Sequence, residues 1–310
     1  MRTLVTGGAG FIGSHLVDAL VARGDAVTVL DDLSSGREEN LTDALAGGAV
    51  LERGDIRDGA ALARLVADVQ PETIYHLAAQ VDVRISLDDP GHDARTNVEG
   101  TINVLEAART AGAGRVVFAS TGGAIYGETD ELPTPESVAP LPMAAYGQSK
   151  FCAECYLGLY QRLYGTSAIA LRFGNVYGPR QDPHGEAGVI AIFCGRMRAG
   201  RQPRIYGDGT QTRDYIYVGD LVAALLAAGD SAELGVVNVG TEVETSVLDI
   251  VRLLSEIHGP GAPGPEFAPA RLGEIDRSCL DVGRARAVLG WEAHTPIAAG
   301  LRRTYEALDG

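Results

Sequence analysis

A tyrosine and a lysine four residues apart, Tyr146 and Lys150, are the residues of this sequence best suited to acid–base chemistry. They lie in the run AYGQSK, within a stretch of helical pattern, so both side chains share one helix face, about 6 Å apart at Cβ. The pKa of free tyrosine is about 10, and a base at neutral pH needs about 4 kcal/mol in favour of the phenolate. An ammonium about 4 Å away supplies ~4 kcal/mol at an effective dielectric constant of about 20. The pair therefore predicts a general base in a site partly closed to water.

A glycine-rich turn near the start of the chain predicts a nucleotide site. The stretch TGGAGFIG follows a short β-type run and opens a run of helical period, with glycines at Gly7, Gly10 and Gly13. Glycines at this spacing allow a tight turn and close approach of a pyrophosphate, and the helix start offers N–H groups to the phosphate oxygens. We therefore expect a dinucleotide to bind here.

The acidic end of the second predicted strand indicates which dinucleotide binds. Asp31 ends that strand 18 residues after Gly13, where a carboxylate accepts hydrogen bonds from a ribose diol and repels a 2′-phosphate. Asp32 adds a second negative charge, and Arg37 is the nearby residue that would suit a phosphate instead. The balance favours NAD over NADP.

The elements that would position these residues alternate between strand and helix through the first half of the chain. Continuous apolar strands separated by helices predict a parallel sheet covered on both faces, in a Rossmann-type doubly wound α/β fold. We divide the chain into 1–175, an NAD-binding domain with the Tyr/Lys pair, and 176–310, a smaller α/β substrate-binding region. The expected strands are Arg2–Thr6, Ala26–Asp31, Ala49–Asp55, Thr73–Ala79, Arg115–Ser120 and Ser167–Phe173, the main helices are Phe11–Arg23, Thr96–Ala111 and Tyr146–Gly165, and Thr121–Ala145 is a loop with four prolines.

The charge of the chain limits its partners. The formal net charge is −15 and the isoelectric point is about 4.8, which disfavours nucleic acid because a uniformly acidic surface repels phosphate backbones. An anionic ligand would need a local arginine cluster. No apolar run reaches the ~18 residues of a membrane span, and the chain opens directly into a strand, so we expect a cytoplasmic protein. The candidate arginines are Arg180, Arg204, Arg213 and Arg271.

No metal site is expected from the cysteines and histidines. Cys152 and Cys155 have the spacing of a zinc or redox pair, but no second Cys/His pair accompanies them and they lie inside a helical pattern. His76 and His184 have no ligand partners at useful spacing. We expect all four residues to have structural roles.

Several motifs in order along nearly the whole chain resemble the extended short-chain dehydrogenase/reductase family. Within that family the likeness is greatest to NAD-dependent nucleotide-sugar epimerases of the UDP-glucose 4-epimerase group. The motifs are TGGAGFIG, HLAAQ, NVEGT, STGGAIYG, YGQSK, RFGNVYGPRQ and GDGTQTRDYIYVGD.

The resemblance implies a role for Tyr146, for Lys150 and for one hydroxyl group. Tyr146 would deprotonate the sugar 4-hydroxyl while carbon 4 gives its hydride to NAD, and Lys150 would hold the nicotinamide ribose and lower the tyrosine pKa. The 4-ketose would swing about its phosphate linkage and take the hydride back on its other face, so NAD stays bound and is recycled. The hydroxyl partner is Thr121 when counted from the strand, with Ser120 as the alternative, whereas counting back from Tyr126 falls on Gly122.

The resemblance also implies two sets of binding residues. Those for the cofactor are Gly7, Gly10, Phe11, Ile12, Gly13, Asp31, Asp32, Ser35, Gly36, Asp55, Ile56, Leu77, Ala78, Ala79, Gln80, Asn97, Ser120, Tyr146 and Lys150. Those for the nucleotide sugar are Arg84, Ser86, Thr121, Gly122, Tyr146, Asn175, Gly188, Val189, Arg204, Ile205, Tyr206, Arg213, Arg271 and Glu274. Among these, Arg213 and Arg271 would grip the diphosphate, since guanidinium forks suit phosphate oxygens.

The loop after Thr121 distinguishes reactions within the family. Nucleotide-sugar 4,6-dehydratases carry an Asp-Glu pair after the threonine, where this chain has Gly122-Gly123, so elimination has no obvious acid and base. A UDP-glucuronate decarboxylase should also carry an acidic residue in the loop, and none occurs before Glu128.

Several alternatives remain open. They are epimerisation of UDP-N-acetylglucosamine, UDP-glucuronate, UDP-xylose or a TDP, GDP or CDP sugar, a 4-ketoreductase, and a non-catalytic NAD sensor. The resemblance further implies a homodimer through the helices at Asn97–Ala111 and Tyr146–Gly165.

Overall fold

The computed structural model describes residues 1–183, 188–270 and 275–309. Its strands are β1 (Arg2–Thr6), β2 (Ala26–Asp31), β3 (Val50–Arg53), β4 (Thr73–His76), β5 (Arg115–Thr121), β6 (Ala168–Phe173), β7 (Asn175–Tyr177), β8 (Arg204–Tyr206), β9 (Thr212–Tyr217), β10 (Gly235–Val239), β11 (Glu244–Ser246) and β12 (Glu266–Ala268). Its helices are α1 (Phe11–Ala22), α2 (Thr42–Ala46), α3 (Gly59–Val69), α4 (Val83–Asp88), α5 (Pro90–Ala94), α6 (Gly100–Ala111), α7 (Gly122–Ile125), α8 (Ala145–Tyr164), α9 (Val189–Arg198), α10 (Val218–Asp230), α11 (Val247–His258), α12 (Gly283–Leu289) and α13 (Ile297–Glu306), with a π-helical turn at Arg95–Glu99.

The central sheet has seven parallel strands in the order β10-β6-β5-β4-β1-β2-β3. The order reverses direction at β1, so the crevice between the carboxyl ends of β1 and β4 is the switch point at which such sheets bind ligands. The predicted fold class, a Rossmann-type doubly wound parallel sheet, is confirmed. The glycine turn follows β1 and the Tyr–Lys pair lies on α8, beyond β5.

Both faces of the sheet are buried under helices, as the continuous apolar strands require. One face packs on α1, α10 and α12 through residues such as Leu16 and Leu225, and the other on α3, α6 and α8 through residues such as Leu105 and Leu157. Burial of a leucine side chain stabilises the fold by about 1.5–3 kcal/mol. This two-sided core holds α1 and α8 at fixed positions on opposite faces.

The second half of the chain contributes to the central sheet and also builds small sheets of its own. Its strand β10 pairs with β6 in parallel, although it lies beyond residue 175, so the division at that residue stays a prediction. The smaller sheets are β11-β9-β7 and β12-β8. They rest on a separate apolar cluster formed with α9, α11 and α13.

Two sequence expectations about local structure were wrong. The expected loop after β5 begins with the short helix α7, because Ile125 is fully buried against Tyr126 and Leu280. The expected helix Thr96–Ala111 is present, and its first turn is π-helical. The third and fourth strands are shorter than predicted and end at Arg53 and His76.

Candidate active site

The glycine turn between β1 and α1 packs too closely for side chains. Gly7 has φ +71°, and a Cβ atom there would lie 2.6 Å from Ala78 N, in the segment after β4. A Cβ atom at Gly13 would collide with the carbonyl oxygen of Gly7. The first N–H groups of α1 have no acceptor within the helix and face the switch point. The turn is thus a glycine cradle of the kind that accepts a pyrophosphate.

Asp31 braces this cradle from the end of β2. Its carboxylate is 7% exposed and accepts hydrogen bonds from the N–H groups of Ala9 and Leu33, both at 2.9 Å. Burial raises the pKa of Asp31, against the lowering effect of these bonds. A carboxylate has about four lone-pair positions, so two remain for a ribose diol. Arg37, the residue that would have suited a 2′-phosphate, lies 3.8 Å from Asp182.

The other predicted cofactor residues surround the same crevice. Leu77, Ala78, Ala79 and Gln80 follow β4, and the Asn97 side chain holds Gln80 through both backbone groups, at 2.9 Å each. A Cβ atom at Gly36 would lie 2.8 Å from Asp31 Oδ1. Asp55 is bound by Arg57, which lowers its pKa. The arrangement fits the dinucleotide that the sequence predicts.

The Tyr146 side chain meets Thr121 at the carboxyl end of β5. The Thr121 side chain is near enough to the Tyr146 phenol to lower its pKa, and the backbone N–H of Tyr146 donates to Ser86 Oγ at 3.1 Å. Ser86 is fully buried and also donates to Val83 O. It therefore fixes the start of α8, and the structure gives this predicted sugar contact a second role in positioning the tyrosine.

Lys150 lies one turn further along α8, against the same strand. Its side chain is 3% exposed, with Nζ donating to Ala119 O at 2.9 Å and 4.7 Å from the centroid of the Phe118 ring. The ammonium thus faces the floor of the crevice from the β5 side.

Ser120, the alternative catalytic hydroxyl, faces away from Tyr146. Its Oγ donates to Glu154 Oε1 at 2.5 Å, and Glu154 is paired with Arg172 at 2.6 Å, both side chains being almost fully buried. Arg172 also donates to Tyr126 OH, which donates to Asn238. The geometry favours Thr121 as the hydroxyl partner of Tyr146. Ser120 instead belongs to the structural hydrogen-bond network of Glu154 and Arg172.

Burial shifts the pKa values of both members of the Tyr–Lys pair. Burial raises the pKa of Tyr146 to about 12, and the Thr121 side chain lowers it only in part. Burial likewise lowers the pKa of Lys150 to about 8. Desolvation disfavours both charged forms in the protein by itself, so the expectation that Lys150 and the oxidised nicotinamide ring together favour the phenolate stays a prediction.

A buried polar cluster behind the pair was not anticipated from the sequence. Asp93 is 1% exposed and accepts from the side chains of Gln80 and Asn97, each at 3.1 Å. Asn97 Nδ2 also lies 3.1 Å from Ser149 Oγ, which donates to Tyr146 O. Asn97 lies in the π-helical turn, a feature that is frequent at functional sites. A spacing of four residues between Asp93 and Asn97 was the available sequence signal.

The space beside Gly122 and Gly123 is filled by other side chains. A Cβ atom at Gly122 would lie 2.5 Å from Leu280 Cδ1, and one at Gly123 would lie 3.1 Å from Asn175 Oδ1. Acidic side chains at these positions would require both neighbours to move. Asn175 Oδ1 is buried and, within the described residues, has no hydrogen-bond partner. An unpaired buried acceptor of this kind is suited to a ligand donor.

In the described part of the chain, each candidate arginine contacts a different partner. Arg180 pairs with Asp18 on α1 at 2.7 Å, whereas Arg204 pairs with Glu266 at 2.8 Å. Arg213 donates to the carbonyl oxygen of Thr212 at 2.8 Å and has no ion pair among the described residues.

The remaining predicted sugar contacts lie on separate elements. Gly188 (φ +110°) and Val189 begin α9, Arg204, Ile205 and Tyr206 form β8, and Arg84 lies on α4. Arg271, Glu274 and His184 lie outside the described residues.

The described ranges contain neither a membrane-spanning helix nor a metal cluster. Over 1–183, 188–270 and 275–309, no helix has the length and apolar composition of a membrane span. Within those same ranges, no group of three His, Cys, Asp or Glu side chains is arranged to hold a metal ion.

Comparison with known proteins identifies relatives over the whole chain. The model of the NAD dependent epimerase/dehydratase family matches residues 3–240. A UDP-glucose 4-epimerase of Mycolicibacterium smegmatis is 50% identical over 309 residues, covering 99% of this chain and 98% of the relative. The UDP-glucose 4-epimerase of Thermotoga maritima, solved with UDP-glucose, is 44% identical, with a TM-score of 0.96 over 100% and 99% of the two chains. The Thermus thermophilus enzyme, solved with NAD, is 42% identical, with a TM-score of 0.94 over 100% and 99%.

Proposed function

The chain belongs to the NAD dependent epimerase/dehydratase family, and we propose that it is a UDP-glucose 4-epimerase, an NAD-dependent isomerase. It inverts carbon 4 of the sugar through a transient 4-keto form. UDP-glucose and UDP-galactose are the expected pair, since relatives that match end to end carry that name. The cofactor is NAD, held by the glycine cradle and Asp31.

The observation that carries the proposal is the surroundings of Thr121. Its side chain lies near the Tyr146 phenol and lowers the pKa of that group, while Leu280 and Asn175 occupy the space where a dehydratase would need an acid and a base. Glu128, the nearest carboxylate along the loop, accepts from the backbone of Asp276 at 2.7 Å. Over residues 1–183, 188–270 and 275–309, the site thus has a hydroxyl pair for proton transfer at one oxygen and no carboxyl pair beside Thr121 for elimination.

The residues divide the proton chemistry between them. Tyr146 takes the proton from the sugar 4-hydroxyl and Thr121 shares a hydrogen bond with the same oxygen, while Asn175 offers its unpaired carbonyl to the substrate. NAD, when bound, supplies reversible hydride exchange at that carbon and the positive charge of its oxidised ring. Burial raises the pKa of Tyr146 to about 12, and the positive charge of a bound oxidised ring would favour the phenolate. The 4-keto sugar then turns about its phosphate linkage, and Tyr146 returns the proton.

The proposal extends to assembly and location. Tyr156, Leu163 and Tyr164 on α8 are exposed apolar residues, and Tyr160 OH donates to Glu106 on α6 at 2.5 Å. These two helices would pack against their copies in a homodimer, which sedimentation analysis of wild type and Leu163→Asp would test. We place the enzyme in the cytoplasm and in galactose metabolism.

The test of the activity is conversion without added cofactor. Purified protein is mixed with UDP-galactose, and the products are resolved by chromatography. Appearance of UDP-glucose supports an epimerase that retains NAD. If no conversion occurs with UDP-galactose or UDP-glucose, with or without added NAD, the proposed substrate is wrong. Parallel reactions with UDP-N-acetylglucosamine, UDP-glucuronate and UDP-xylose then identify the sugar.

A further inference from the structure

Lys150 is the only lysine in the 310-residue sequence, and all the other basic residues of the Lys/Arg type are arginines. Its ammonium contacts one carbonyl oxygen and one aromatic ring, and its side chain is 3% exposed. These contacts leave most of the charge uncompensated. A charge buried in this way requires an opposite charge nearby.

Two carboxylates face Lys150, and one of them is already committed. Asp93 and Glu154 both raise the pKa of Lys150, Asp93 more strongly, against the larger lowering effect of burial. Glu154, however, receives three N–H···O contacts from Arg172 at 2.6–3.3 Å. Its charge is therefore largely balanced by the arginine, and Asp93 is the carboxylate left for the lysine.

Asp93 is held where it can serve Lys150. Its Oδ1 accepts from Gln80 and Asn97, and among the described residues it forms no ion pair within salt-bridge distance. The same Asn97 amide reaches Ser149, the residue before Lys150, and α5 packs on α8. The carboxylate is thus fixed by neutral donors, and it lies next to the Asn97–Ser149 contact beside the Tyr146–Lys150 pair.

We propose that Asp93 is the charge partner of Lys150 and a positioning residue for the epimerisation: fixed by Gln80 and Asn97 and buried beside α8, its carboxylate balances the buried ammonium and keeps it in place. The charge pairing is a property of the protein alone, and only its effect on turnover rests on the proposed function. The other titratable groups that face the pair are Glu154, bound to Arg172, and His76, which burial keeps neutral by lowering its pKa to about 3.

A single lysine makes the charge pairing directly measurable. Protein labelled with ¹³C at lysine Cε gives one side-chain resonance, and its titration midpoint reports the Lys150 pKa, about 8 in the wild type. Asp93→Asn keeps the Oδ1 acceptor for Gln80 and Asn97 but removes the charge, so the midpoint should fall below the wild-type value. Asp89→Asn, an exposed carboxylate at the start of α5, is the matched control and should leave the midpoint in place. Coincident curves for wild type and Asp93→Asn would overturn the proposal.

If Asp93→Asn does not fold, the stability of two Lys150 variants tests the charge pairing instead. Lys150→Met leaves the Asp93 carboxylate buried without a charge partner, and the double variant with Asp93→Asn removes both charges. The double variant should unfold at the same or higher denaturant concentration than Lys150→Met alone. If it unfolds earlier, the two charges are not paired.

Turnover provides the readout for positioning. Asp93 raises the pKa of both Tyr146 and Lys150, so Asp93→Asn should move both limbs of the kcat–pH profile to lower pH. A purely structural defect would lower kcat without moving the limbs, and that result would refute the positioning role. Because the lysine titration uses no substrate, it can succeed or fail independently of whether the wild type converts UDP-galactose.

Discussion

Replacing Glu154 by glutamine should cost about 3–5 kcal/mol of unfolding free energy, the usual loss when a buried ion pair loses one partner. Arg172 donates to Glu154 through Nε and Nη2, and the two side chains are 4% and 5% exposed. Glutamine has the same shape but turns one acceptor oxygen into an NH₂ group that faces the guanidinium. The lost attraction, for charges about 4 Å apart at an effective dielectric constant of about 20, is ~4 kcal/mol.

The assay is guanidinium chloride unfolding followed by the fluorescence of Trp291, the single tryptophan, which is 6% exposed. The matched control is Glu256→Gln on α11. Glu256 pairs with Arg252 at 3.1 Å, but the two side chains are 62% and 59% exposed. An exposed pair of this kind contributes about 0.2–1 kcal/mol, so the control should unfold close to the wild type.

The buried pair would be unimportant for stability if both glutamine variants unfolded at the same denaturant concentration. A double variant, Glu154→Met with Arg172→Met, separates the two contributions to the loss. It removes both charges and fills similar volume, so it should recover much of the loss. Failure to recover would indicate that the bonds to Ser120 and Tyr126, rather than the ion pair, stabilise this region.

Three further predictions concern the crevice and its surroundings. Gly13→Ala should lower the NAD content of the purified protein about tenfold or more, since overpacking costs about 1–3 kcal/mol. The control Gly264→Ala, whose new Cβ atom would lie in open space, should leave the NAD content unchanged. Equal NAD contents in the two variants would contradict the role of the glycine cradle in binding NAD. Tyr146→Phe should abolish turnover with NAD still bound, and retention of most activity would exclude the tyrosine as the base. The folded-state pKa of His76 is about 3, below its ordinary 6.5, so the unfolded chain binds the extra proton and stability should fall as pH drops from 6.5 towards 3. The unfolding midpoint of His76→Gln should depend less on pH than that of wild type or of His294→Gln, an exposed control.

The fold was predictable in the first half of the chain because each strand there is a continuous apolar run between turn residues. The last sheet strand, β10, was not predicted. Its five residues acquire strand character only by pairing with β6, a contact that the local pattern does not encode. Helix α7 was missed for a similar reason, since the burial of Ile125 depends on Leu280, which is distant in sequence.

In the site, the sequence indicated the reacting groups better than their surroundings. Tyr146, Lys150 and Thr121 lie together in the structure, although their roles stay proposals. Asp93 and Glu154 were missed because the role of a buried carboxylate depends on partners that lie on other elements. The sequence also did not indicate that burial raises the pKa of Tyr146 in the protein by itself, because desolvation depends on how other elements pack around the phenol.

The burial of Lys150 has a consequence for chemical modification. With no other lysine in the sequence, the outer surface has no side-chain amine, and the one surface ammonium that the structure describes is the N-terminus of Met1, paired with Asp25. Acylating reagents, amine cross-linkers and glycating sugars therefore find no lysine at the surface to react with. A modified lysine in this protein would mean that the reagent had entered the crevice, and protection of Lys150 by a bound nucleotide would measure how completely that crevice is occupied.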